Sequence, residues 1–167
     1  MKKDVTMFLA LLAVSCSGYA GPSSHASFTV KKEGFVLNLI LDKDTRTIAI
    51  EKGDLRGIAL KYVHDGDFDP IDLHLSRVKG HLKLIEGSPG EFGVRINSGK
   101  KNFGHPLFIT VPVKGLDTSV TVVGYCVNDD GTLSPSDLIS MDRKSGSATF
   151  SVFGPLTLVW ALVHLDE

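Results

Sequence analysis

The sequence predicts an all-β domain, a single antiparallel β-sandwich of about eight to ten short strands. Three observations carry that prediction. Apolar and polar residues alternate at a period of two through "GFVLNLIL", "GIALKYV" and "IDLHLSRV", the pattern of strands buried on one face. Turn-forming clusters, "GSPGE", "NSGKKN", "NDDGT" and "KSGS", punctuate the chain at short intervals that leave no room for crossover helices. The run Leu156 to Val163 is apolar on both faces, which places it in the middle of a sheet with both sides covered, or beneath a neighbouring subunit.

Taken in order, residues 1–20 read as an export signal. Lys2 and Lys3 make a basic start, Met7 to Val14 an apolar core, and Gly18 and Ala20 a small-residue cut before Gly21. That core falls far short of the roughly 18 residues needed to cross a bilayer. The tetrapeptide "AVSC" ending at Cys16 resembles the lipid-attachment box of bacterial lipoproteins, with Ala13 where Leu is usual. Two fates follow, cleavage after Ala20 or lipidation of Cys16, and both give a secreted, periplasmic or cell-surface protein. Residues 21–27 read as a flexible tether, and residues 28–167 as the domain.

Within the domain, Phe35, Leu37, Leu39 and Leu41 fall on one face and Asn38 and Asp42 on the other. After the turn "DKDT", Ile48 and Ile50 face inward, followed by Ile58, Leu60 and Tyr62. "IDLHLSRV" and "HLKLIEG" read as two strands with Gly80 as a corner between them. In "SPSDLISM", Ser134 or Ser136 is placed to cap a short helical turn, with an irregular connector as the alternative. Pro155 is admissible as the opening residue of the final strand.

Charge excludes some functions. Removing residues 1–20 takes away two of the 18 basic and one of the 19 acidic residues, leaving 16 against 18, a net charge of −2. Such a surface offers no footprint for nucleic acid or for polybasic membrane docking. The mature 147 residues suit one domain with one core. Cys126 alone remains there, in the apolar segment "TVVGYCV", so no disulfide or thiolate metal cluster forms within the domain, and the thiol reads as buried and inert.

The order of strands and turns from residue 46 to 164 resembles the β-sandwich of ankyrins, netrin receptors and death-domain adaptors, also found in exported bacterial proteins. The residues that carry the resemblance are Phe103, Pro106, Leu107, Ile109, Thr110, Val111 and Pro112, then Gly146, Ala148, Thr149 and Phe150. Upstream, Lys52 and Asp54 stand where that family more often has proline and alanine. Several members cut themselves at a His-Phe-Ser motif before the last strand. The matching positions here are Val152, Phe153 and Gly154, so the serine nucleophile is missing and no ester can form. The resemblance therefore implies a scaffolding or adhesive role without self-cleavage, in which loops or a sheet edge meet a partner.

Candidate binding residues lie in two loops. "HDGDFDPID" holds Asp65, Asp67, Asp69 and Asp72 with Phe68 among them. Alternating carboxylates suit calcium, although Pro70 and Ser76 exclude the helix-loop-helix subtype, and aspartate, glycine and proline are also ordinary turn residues. Asn128, Asp129 and Asp130 form the second loop. Histidines 64, 74 and 81 lack the close pairing of a zinc site; His105 and His164 read as a loop and a strand-end residue. Asp72, His74 and Ser76 share a strand face at successive ~6.6 Å steps, too far apart for a triad. No phosphate loop or serine elbow is present.

These observations converge on an exported, non-catalytic β-sandwich that binds a protein or surface glycan. It needs no cofactor unless calcium fills the Asp65–Asp72 loop, which gives the alternative of a calcium-dependent, carbohydrate-binding module. A homo-oligomer formed through residues 156–163, and a hydrolytic enzyme assembled from distant residues, are the other readings.

Overall fold

A computed structural model describes residues 26–84, 90 and 92–165. The signal segment, Cys16 and residues 21–25 of the expected tether lie outside the described residues. The tether does not extend as far as residue 27: Ala26 is buried and Ser27 opens the first strand.

Among the described residues there are eleven strands and no helix. They are β1 (Ser27–Glu33), β2 (Leu37–Leu41), β3 (Thr47–Ala49), β4 (Ala59–Tyr62), β5 (Ile71–Lys83), β6 (Phe92–Asn97), β7 (Leu107–Pro112), β8 (Val120–Val127), β9 (Leu133–Asp142), β10 (Ser147–Val152) and β11 (Leu156–His164). All pairings are antiparallel, in the order β1-β5-β6-β11-β8-β9-β10-β7-β4-β3, with β2 added to β5. The all-β antiparallel class is thus as the alternation predicts.

One continuous sheet makes two layers because it folds over along β9. Leu133 to Ser136 pair with β8, whereas Asp137 to Asp142 pair with β10. Between the layers lies the main core, in which Leu73, Leu75, Val94, Ile96, Val122 and Leu158 join Leu60, Leu107, Ile109, Val111 and Phe150. Contact is close enough that a Cβ on Gly124 of β8 would come within 2.2 Å of the Phe150 ring.

A second core sits on the opposite face of the first layer. That layer curls until β1 meets the start of β9: the Phe28 N–H donates to the Gly131 carbonyl at 3.0 Å, and Ser27 bridges Thr132. Phe28, Val78, Leu82, Val123, Tyr125, Leu133, Val159, Ala161 and Val163 fill the concavity. This explains the doubly apolar β11. Leu158 faces the main core and Val159, Ala161 and Val163 the second, while β11 pairs with β8 from Thr157 to His164 and with β6 from Leu156 to Val159. Leu158 on one face and Val159, Ala161 and Val163 on the other are covered inside one chain.

Three local expectations are corrected. Gly80 is not a corner, since β5 runs through it as one 13-residue strand. Glycine is needed there because a Cβ would come within 2.3 Å of the Thr29 carbonyl oxygen, beside the register shift in β1 between Val30 and Lys32. The two halves of β5 bury opposite faces, Ile71, Leu73 and Leu75 in the main core and Val78 and Leu82 in the second. "SPSDLISM" is neither helix nor connector but most of β9. In "GFVLNLIL" only Leu41 is fully buried, with Leu39 packed partly against the main core, whereas Phe35 and Leu37 are exposed; β2 pairs with β5 alone.

Candidate functional site

The acidic loop joins β4 to β5. Asp65, Asp67 and Asp69 are exposed in it, and Asp72 is exposed on β5. Among the described residues no three His, Cys, Asp or Glu side chains gather into a group that could hold a metal ion. The loop is held by its carbonyls instead. Arg46 donates to the carbonyl of His64 and, at 2.5 Å, to that of Gly66, and Lys100 donates to that of Asp69 at 3.3 Å. Phe68 is half-buried against the main core, 4.6 Å from the Tyr62 ring and 5.3 Å beneath the Arg46 guanidinium. Its aromatic face therefore anchors the loop.

The sequence reading missed a histidine pair here. The rings of His64 and His105 lie 4.0 Å apart. Their meeting follows from strand register: β4 and β7 pair Tyr62 with Leu107, the Val63 N–H donates to the Pro106 carbonyl, and one residue further His64 meets His105. Below them the Tyr62 hydroxyl donates to the Phe103 carbonyl. Burial pushes the Tyr62 phenol up from its ordinary pKa, against a smaller downward pull from the backbone of His105.

The Asn128, Asp129 and Asp130 loop is the β8–β9 hairpin. Asp130 Oδ1 accepts from the Thr132 hydroxyl at 2.6 Å and from its N–H at 2.9 Å, which holds the carboxyl below its usual range. Asn128 Nδ2 donates to the hydroxyls of Thr132 and Ser134, both at 3.0 Å. Gly131 closes the turn with φ 82°, in the left-handed region. A polar groove of about 960 Å³ runs from this hairpin past Cys126 and Arg95. Burial raises the Cys126 thiol pKa, partly offset by the Ser136 hydroxyl, which keeps the thiolate fraction low.

The hydroxyl and imidazole of β5 have separate partners. His74 Nδ1 lies 2.6 Å from Asn38 Oδ1 on β2, and the Ser76 hydroxyl donates to Glu33 Oε1 at 2.5 Å. Glu33 is also paired with Arg95 at 2.5 Å, and Arg95 Nε donates to the Thr157 hydroxyl at 3.3 Å. In the turn before β11, Val152 is buried and Phe153 half-exposed, its carbonyl accepting from the Phe103 N–H at 2.8 Å. A Cβ on Gly154 would meet the Lys101 carbonyl oxygen at 2.6 Å. That position has no room for a serine without backbone movement.

The most exposed apolar surface is on β2 and its approach. Phe35 is 92% exposed, Val36 56%, Leu37 37% and Ile40 56%. Since β2 pairs with β5 alone, its outer edge carries ladder groups with no strand beside them among the described residues. No helix among the described residues is long and apolar enough to cross a membrane. Comparison of the chain with protein families, with curated proteins and with solved structures gives no match.

Proposed function

We propose that this protein is an exported, non-catalytic binding module that takes a protein partner along the outer edge of β2. One observation carries the reading: Leu37 and Ile40 on β2, and Phe35 and Val36 just before it, are exposed beside an open strand edge. Contiguous exposed apolar surface marks interaction sites, and an open edge accepts an added strand, whose backbone hydrogen bonds give affinity while alternate side chains give specificity. The resemblance to the ankyrin and netrin-receptor sandwich supports the same scaffolding or adhesive role.

The test is a displayed peptide library panned against the immobilised chain. Extended peptides with alternating apolar residues are expected, with micromolar affinity and slowed amide exchange along Leu37–Leu41. The double variant Phe35→Asp, Ile40→Asp is expected to weaken them at least tenfold. Peptides that bind this variant equally well, or that protect amides elsewhere, overturn the proposal.

A further inference from the structure

A cleft of about 630 Å³ opens where the two layers part, a size typical of small-molecule sites. Its origin lies in strand lengths. β7 ends at Pro112, and β6 leaves β11 at the Gly93–Val159 pair, so the β11 positions beyond lose their cover on the face toward the other layer. Leu158 is fully buried, but Trp160 and Leu162, on the same face, are only half-buried and line the cleft. An aromatic side chain directed toward the core is thus left open to solvent on one side.

The described part of the rim is cationic. Among the described residues, Arg56, Arg77 and Lys114 line it against one carboxylate, that of Asp54. The one ion pair among the described residues is that of Arg95 with Glu33, so the rim cations have no carboxylate partner there. Arg77 is braced: its guanidinium lies 3.9 Å from the Phe92 ring centroid and donates to the Asp54 carbonyl at 3.3 Å. A guanidinium has five N–H donors in a fixed fork, so donors remain for a bidentate anion.

From the apolar floor and the cationic rim we infer that the cleft binds an amphipathic anion, a small molecule with an apolar body against Trp160 and Leu162 and a single carboxylate or phosphate head at Arg77. Its lining shares no residue with the β2 edge, and the inference stands without the reading given for that edge.

The chain's single tryptophan is Trp160, so its fluorescence reports directly on the cleft. The full chain is titrated, below micelle-forming concentrations, with dodecanoate, dodecyl phosphate, dodecanol and dodecyltrimethylammonium. The expected result is a saturable emission change with one or both anions, at least tenfold weaker for the alcohol and the cation. The preference between the two anions identifies the head group. Arg77→Gln is expected to weaken anion binding at least fivefold and leave the alcohol unchanged; if that variant melts early, the exposed Lys114→Gln is expected to do the same to a smaller extent. No saturable change with either anion, an equal response to the cation, or unaltered anion affinity in both variants overturns the inference.

Discussion

β11 and β2 are both short apolar strands, yet they sit at opposite ends of the range of burial. β11 lies between β6 and β8 with one face in each core; β2 hangs on β5 with its Ile40, and Phe35 and Val36 just before it, in solvent. Apolar content therefore does not distinguish a strand left exposed from one buried by the fold. Position in the sheet does, because a central strand finds cover on both faces while an edge strand finds it on one side at most.

The sharpest way to break this comparison is to put the same charge into both strands. Leu158→Asp buries an unpaired carboxylate and is expected to cost about 4 kcal/mol or more, enough to abolish cooperative unfolding in urea. Ile40→Asp is expected to change stability by about 0.5 kcal/mol or less. Comparable losses in the two variants would mean that β2 is covered in solution.

A smaller effect separates the glycines beside the two strands. A Cβ on Gly93 would lie 2.6 Å from the Leu158 carbonyl oxygen and 2.6 Å from Val159 Cγ1, with Val78 also in contact. Gly93→Ala is expected to destabilise by about 1–3 kcal/mol. At Gly34, just before β2, the nearest atom is Asp54 Oδ2 at 2.9 Å, the end of an exposed, flexible side chain that can swing aside. Gly34→Ala is expected to shift the urea midpoint little in either direction.

The smallest effect is in the hairpin that closes the second core. The Asp130 carboxyl is held low in the folded state by Thr132, so its contribution to stability is present above the ordinary aspartate pKa of about 3.9 and is lost as pH falls through the lower folded value. Thermal melts of Asp130→Asn are expected to lie slightly below wild type near pH 7 and to coincide with it at strongly acidic pH. A pH-independent gap would mean that the carboxylate charge plays no part.

Much of the fold was legible because one-face burial writes itself as alternation: Ile58, Leu60 and Tyr62 are buried as the pattern requires, and the two-faced β11 sits at the sheet centre. β9 was not legible because its residues are poor strand formers. It is a strand because each of its residues has a ladder on one side only, so Pro135 lies opposite Tyr125 with no second strand asking for its missing N–H. Context overrides propensity there. The carboxylates of the two loops were visible in the sequence, but their surroundings were not. The His64–His105 pair depends on the register of β4 with β7, and the cleft on where β7 and β6 stop. Both are long-range facts that no local window contains.

The place of β11 also orders events during synthesis. It is the latest-made of the eleven strands, and it inserts between β6 and β8, which are made before it. Until residues 156–164 are delivered, the inner edges of those two strands have nothing to close on, and neither core has its central wall. The two parts of the first layer therefore stay unjoined until β11 is in place.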